Sequence, residues 1–191
     1  MHAARVLGSA DFFPATDGNL SARLDERRVL ITARGVEKRE LRETDIVEMP
    51  ADDPQPAAGS TEWPMHRALY ASRPDVQCVL HVHSPGLTAF AVAHRVPRIE
   101  LLAEAYVTVG TIVLLPFVKP GTPLVGEALL KTDPTASVYL LANHGAVGVG
   151  ATVRDTLHRL ERAEFLAQIE LNSAALGGGQ ALTRDQLAVL R

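Results

Sequence analysis

An α/β sandwich built on a sheet that is not purely parallel is the fold class this sequence predicts. Strand-length apolar runs and helical patterns are mixed along the chain without the strict alternation of a doubly wound parallel fold. The 191 residues, 47% apolar and 21% charged, are those of an ordinary globule, long enough to bury about 70% of the surface exposed by the unfolded chain. No internal repeat, low-complexity tract or linker interrupts it, so one domain is expected over residues 1–191.

Composition also excludes function classes. A net charge of −3 argues against nucleic acid or an anionic membrane as the main partner. No apolar run approaches the roughly 18 residues needed to span a bilayer, and the N-terminus lacks a signal-like region. A single cysteine, Cys78, forms no internal disulfide, which fits a cytoplasmic location. Aromatic residues at 5% supply no stacking platform.

Residues 1–16 are weakly patterned, with Phe12-Phe13-Pro14 closing a short helix. Ala15 to Arg23 reads as a turn of small polar residues entering a strand. It is either a plain Asp-Gly-Asn hairpin turn or an anion-binding nest of amides and a hydroxyl. Arg28–Thr32 is a strand, followed by the turn Ala33-Arg34-Gly35-Val36. Leu41–Glu48 holds a turn and a short strand with Ile46 and Val47 inward, and Ala51–Gly59 is a proline-containing loop. Ser60-Thr61-Glu62-Trp63-Pro64 has the capping residues, early carboxylate and first-turn proline of a helix start. Met65, Ala68, Leu69 and Ala71 give that helix its buried stripe, and it ends near Arg73-Pro74.

A strand from about Gln77 carries His81 and His83, and Pro85-Gly86 leads into a helix over Leu87–His94. Ile99–Val109 reads as helical, with Glu100 and Glu104 one turn apart. Thr111–Leu115 is a β-branched strand, Pro116–Pro123 a loop and Leu124–Lys131 a short helix. Ser137–Ala142 is an apolar strand ending in Asn143-His144-Gly145, and Ala146–Val149 pairs with it or continues it. The longest helix spans Thr152–Leu176. Thr152 caps it, Leu157, Leu160, Ala163, Leu166 and Ile169 recur at helical spacing, and Gly177-Gly178-Gly179 stops it. Arg159, Glu161, Arg162 and Glu164 are read as its solvated face. Thr183–Leu190 forms the last helix.

The chemistry centres on His81 and His83. Alternate strand residues share a face, so the two imidazoles point one way and Leu80 and Val82 the other. The pair is either a metal site at a strand end or two polar residues on the open face of an edge strand. His144, also just past an apolar strand, is the candidate third ligand. Three imidazoles with an open position make a catalytic zinc arrangement, and one cysteine cannot supply a closed structural site. His2, His94 and His158 read as surface or satisfied histidines; His66 is grouped with them but is the exception to watch, one helical turn after Glu62. Glu62 itself is either a capping carboxylate or an acid–base group favoured by the helix dipole.

Five segments in order look like signatures of the class II aldolase/adducin family: Asp17–Arg23, Ile31–Val36, Ser60–His66, His81–Ser84 and Leu141–Gly145. The resemblance spans residue 15 to about residue 190. It implies a single three-layer α/β/α sandwich around a mixed, largely antiparallel central sheet. It implies Zn²⁺, or another divalent metal, held by His81, His83 and His144. Glu62 would be a ligand in the resting site and the proton shuttle during reaction. Asn19, Gly35, Ser60 and Thr61 would bind a substrate phosphate, and active sites would lie at the interfaces of a homotetramer.

The implied activity is a zinc-dependent aldolase that cleaves a small sugar phosphate, such as a ketose 1-phosphate, through a metal-stabilised enediolate. Dihydroxyacetone phosphate and an aldehyde would be its products. A methylthioribulose-phosphate dehydratase, a sugar-acid phosphate decarboxylase and a non-catalytic adducin-like interaction domain are the alternatives. Two departures bear on that choice. Arg34 stands where family aldolases commonly carry Ser or Thr, and could clamp a phosphate or carboxylate or point to solvent. Counting back from Pro120-Gly121-Thr122 reaches Leu101 where some fuculose-phosphate aldolases have a proton-donating tyrosine, with Tyr106 several residues away. Glu104 lies near the acidic residue that the dehydratases use.

Overall fold

The computed structural model describes residues 1–54 and 58–190, so the loop expected over Ala51–Gly59 falls partly outside the described residues. The elements, in chain order, are α1 (His2–Ser9), β1 (Asn19–Arg23), β2 (Arg28–Thr32), β3 (Ile46–Pro50), α2 (Trp63–Ser72), β4 (Cys78–Val82) and α3 (Pro85–Val92). They continue with α4 (Ala103–Thr108), β5 (Ile112–Leu115), α5 (Pro123–Leu129), β6 (Val138–Leu141), β7 (Gly145–Gly150), α6 (Val153–Ser173) and α7 (Arg184–Ala188).

The seven strands form one sheet in the order β3-β2-β1-β4-β7-β6-β5. Every neighbouring pair is antiparallel except β5 with β6. Alternation along the strands divides the core in two. Leu80, Val82, Val138 and Leu140 face α1, α3, α4 and α6. Val79, Tyr139, Leu141, Val147 and Val149 face α2 and α5. This is the expected three-layer α/β/α sandwich with a mixed, largely antiparallel sheet. Helix α6 binds through Leu157, Leu160, Ala163, Leu166 and Ala167, all buried, and each such leucine contributes about 1.5–3 kcal/mol.

Strand β4 is central, paired with β1 and β7, and each of its five residues is buried. The alternative of two histidines on the open face of an edge strand is therefore excluded for His81. The Asp17-Gly18 turn is likewise no hairpin turn, because no strand precedes it; it delivers Asn19 into β1 opposite His81. Strand β7 turns back on β6, and the pair makes the hairpin that carries His144 at its tip.

Two expectations are corrected. The helix read over Ile99–Val109 is split: a 3-10 turn over Ile99–Leu101 stops at an extended Leu102 before α4 begins. Glu100 and Glu104 thus do not share one continuous helix face. The charged face of α6 is not all solvated either. Glu164 is buried and accepts hydrogen bonds from Ser84 Oγ (2.7 Å), Gly86 N–H (2.7 Å), Leu87 N–H (2.8 Å) and Gln168 Nε2 (2.8 Å). Its i, i+4 spacing from Leu160 places it on the inner stripe, where it caps the start of α3.

Candidate active site

The site forms where the C-terminal end of β4, the start of β1, the turn after β2, the N-terminus of α2 and the β6–β7 turn meet. His81 pairs with Asn19 across β1 and with Val147 across β7. His83 lies one residue past β4, and Asn143 turns the hairpin with a left-handed φ of 56° that brings His144 toward them. Gly145 permits the close approach, because a Cβ there would lie 2.4 Å from His83 Cδ2.

The three imidazoles face one another. Ring centroids are 4.8 Å apart for His81–His83, 4.8 Å for His81–His144 and 5.0 Å for His83–His144. One nitrogen from each ring lies within 4.8 Å of the others. His81 Nδ1–H donates to Ala146 O at 3.0 Å, and His83 Nδ1–H to Asp17 Oδ2 at 3.2 Å. Those outer bonds set the tautomers. The two Nε2 atoms then confront each other at 3.1 Å, each with a lone pair. Burial, then the neighbouring imidazoles, holds His81 well below the usual histidine range. His144 is pushed down to about 4 by burial and by His83, and His83 is lowered by burial against the pull of Asp17. Neutral rings with converging lone pairs are what a divalent cation requires.

Glu62 completes the arrangement. It stands at the N-cap of α2 but makes no side-chain capping bond, so the simple capping role is excluded. Burial raises its pKa above the ordinary glutamate value, against the lowering influence of the nearby Gly121 backbone N–H. Oε2 is buried with no hydrogen-bond partner. An orphaned buried carboxylate oxygen is costly, and a proton or a cation removes that cost. The residues present therefore fit a bound divalent metal.

These groups line a cavity of about 310 Å³ together with Thr16, Asp17, Gly18, Asn19, Ala33, Arg34, Gly35, Lys38, Ser60 and Thr61. Asn19, Arg34, Gly35, Ser60, Thr61, Glu62 and the three histidines are thus brought together. Arg34 is exposed at the rim. Glu104 and Tyr106 are not among the lining residues. They lie on α4, which packs on α6 and covers the opposite face of the sheet from α2. A larger depression of about 1280 Å³ along β2, β3 and α2 has mixed arginine and acidic walls and holds none of these groups.

Three further residues support the site in ways that the sequence does not assign, His66 among them although its spacing from Glu62 singles it out. Lys38 is buried, its ammonium donates to Thr16 O, and burial lowers its pKa to about 8 against the opposing charge of Asp17. Its position three residues after Gly35 is the one signal it gives. Asp17 lies within a recognised segment yet shows its role only through His83. His66 is buried beneath Asn19, where Nε2 lies 2.5 Å from Asn19 Oδ1.

Comparison with known proteins identifies the family and the fold. The family model described as class II aldolase and adducin N-terminal domain matches residues 1–171. A 3-oxo-tetronate 4-phosphate decarboxylase from Haemophilus influenzae is 32% identical over 158 residues, covering 80% of this chain and 75% of its own. A methylthioribulose-1-phosphate dehydratase from Parvibaculum lavamentivorans is 30% identical over 183 residues, covering 88% and 89%. The crystal structure of YgbL from Klebsiella pneumoniae superposes with a TM-score of 0.87 at 26% identity, covering 100% of this chain and 94% of that one.

Proposed function

The chain belongs to the class II aldolase and adducin N-terminal domain family, and from that premise we propose that it is a metal-dependent lyase for a small sugar-derived phosphate. It breaks the bond between the carboxyl carbon of a 3-oxo acid and the carbon next to the ketone, and the carboxyl group departs as CO₂. His81, His83 and His144 hold the metal, with Glu62 as a further ligand in the resting site. A bound Zn²⁺ supplies Lewis-acid stabilisation of the negative charge that develops on the substrate oxygens.

The chain's own groups do the rest. Asn19, Gly35, Ser60 and Thr61 bind the phosphate, and Arg34 and Lys38 add positive charge at that end of the cavity, which fixes the reacting carbons. As the carboxylate leaves, its bonding electrons pass to the ketone oxygen, and one proton must then reach the carbon. Glu62 delivers it. Burial raises the pKa of this carboxyl above that of an exposed glutamate, which suits it to carry a proton once it is released from the metal.

One observation carries the choice of bond. The cavity is lined by two carboxyl groups, Asp17 and Glu62. Asp17 is committed to His83, and Glu62 alone keeps a partnerless oxygen. Loss of CO₂ needs one proton delivered, whereas aldol cleavage also needs a base for the substrate hydroxyl. A role for Glu104 or Tyr106 as that second group requires a neighbouring copy, because their own cavity lies across the sheet. Assembly as a homotetramer in the cytoplasm is part of this reading. Dehydration is the second reading, favoured by the dehydratase relative, which is matched over nine-tenths of its length; like aldol cleavage it needs a proton taken as well as one delivered, so Glu62 would have to serve in both directions.

The test is product analysis. Zinc-loaded protein is given 3-oxo-tetronate 4-phosphate, methylthioribulose 1-phosphate and a ketose 1-phosphate in parallel. Release of CO₂ and dihydroxyacetone phosphate from the first alone is expected, and Glu62→Gln should lower kcat by about 10²- to 10⁴-fold while the fold is retained. Turnover of the second substrate alone establishes dehydration, and no turnover of any of the three removes the proposal.

A further inference from the structure

Behind Asn19 runs a chain of hydrogen bonds that the proposed chemistry does not use. Asn19 Oδ1 lies 2.5 Å from His66 Nε2, His66 Nδ1 lies 2.6 Å from Ser21 Oγ, and Ser21 Oγ lies 2.7 Å from the Tyr70 hydroxyl. All four side chains are buried. Asn19 and Ser21 alternate onto the same face of β1, and His66 and Tyr70, four residues apart on α2, lie one above the other against them. Arg23 pins the far end, with its guanidinium donating to Tyr70 O at 2.7 Å and lying 4.7 Å from the centre of the phenol ring.

Such a chain has two possible polarities. In one, His66 carries its proton on Nδ1 and donates to Ser21, Ser21 donates to Tyr70, and the phenol O–H must find another acceptor. The Tyr70 hydroxyl is bonded to Ser21 and to no other side chain among the described residues, so this polarity strands a buried donor, which natural structures avoid. In the other, Tyr70 O–H donates to Ser21, Ser21 O–H donates to Nδ1, and Nε2–H donates to Asn19 Oδ1. Every donor is then satisfied. The amide orientation follows: with Oδ1 held by His66, the Asn19 NH₂ group is turned to the cavity.

We propose that His66 is a positioning residue, fixed as the Nε2–H tautomer by Ser21 and Tyr70, that holds Asn19 with its amide donors toward a substrate oxyanion. The opposite tautomer would turn the amide oxygen to the cavity and repel that anion. Burial that pushes His66 down to about 3 keeps the ring neutral, as a one-donor, one-acceptor relay demands. The role given to Asn19 rests on the reading of this cavity as a phosphate site.

The experiment has two arms. Long-range ¹H–¹⁵N correlation spectra of the ¹⁵N-labelled, zinc-loaded wild-type protein report which His66 nitrogen bears the proton, and Nε2–H is expected. Inorganic phosphate is then titrated into wild type, His66→Gln and His66→Asn, with zinc affinity measured alongside. A glutamine amide nitrogen replaces Nε2 as donor to Asn19, whereas the asparagine side chain is too short to reach it. His66→Gln should bind phosphate as wild type does, and His66→Asn about 10- to 100-fold more weakly, with zinc affinity unchanged in both. An Nδ1–H tautomer in wild type, or equal phosphate binding by His66→Asn, overturns the proposal. A wild-type protein that shows the Nε2–H tautomer but binds no phosphate overturns instead the reading of the cavity as a phosphate site, and with it the anion assigned to Asn19.

Discussion

Asp17 never touches the space between the three imidazoles, yet it fixes one of them. Its carboxylate accepts the His83 Nδ1–H at 3.2 Å, and Lys38 holds the turn that carries it by donating to Thr16 O. An outer carboxylate of this kind sets ring orientation and raises the basicity of the ligand nitrogen. Asp17→Asn is therefore expected to weaken zinc binding by about 10- to 100-fold, measured by competition with a chromophoric chelator, while thermal stability in the absence of metal changes little because Asp17 is exposed. Equal zinc affinity in wild type and variant would show that His83 is oriented by packing alone. The sequence placed Asp17 in a recognised segment. Its link to His83 spans 66 positions of chain, and no local pattern encodes such a contact.

At the scale of elements, α6 controls the segment that follows β4 and His83. Glu164 gathers the Ser84 hydroxyl and the Gly86 and Leu87 amides, which are free backbone donors at the start of α3. Gly86 is required beneath it, since a Cβ there would lie 2.8 Å from Glu164 Oε1. A carboxylate at a helix N-terminus also complements the dipole. Glu164→Ala strands these buried donors, and a loss of at least about 2 kcal/mol is expected, read as a shift in the urea midpoint at unchanged slope. A variant within experimental error of wild type would mean that water replaces the carboxylate. Helical periodicity identified α6 correctly but assigned Glu164 to solvent, because a charged residue beside Arg159, Glu161 and Arg162 matches the pattern of an exposed face. The donors that reverse that assignment come from a helix 78 residues earlier.

For the whole molecule, the central position of β4 has a thermodynamic consequence. The helices on one face and α2 with α5 on the other bury His81 and His66 between layers, and both stay neutral. In the unfolded chain these imidazoles take up protons near pH 6.5, whereas His66 resists until about 3. Between those values the unfolded state binds more protons, so stability falls as pH drops through that window. Melting temperatures recorded from pH 7.5 to 4.5 should decline from about 6.5 downward, and His66→Gln should flatten the upper part of that decline. A wild-type melting temperature that is constant between pH 6.5 and 5 would contradict it. Ligand removal acts in the same direction: a chelator withdraws whatever stability a bound cation confers on the folded state alone.

The sequence by itself determined the class of this protein and picked out the three histidines that the fold brings together. The period-2 and period-3.6 patterns located most of the strands and helices, and His81, His83, His144 and Glu62 stood at element ends where side chains can converge. Local patterns carry that much because strand alternation and helix starts are properties of neighbouring residues. Only the tertiary structure decided which residues share the cavity. It set Arg34, Lys38 and Asn19 at its wall, put Glu104 and Tyr106 on the other side of the sheet, and turned His66 and Glu164 from bystanders into supports. Each of those outcomes depends on contacts between segments tens of residues apart, fixed by the strand order rather than by any run of adjacent residues.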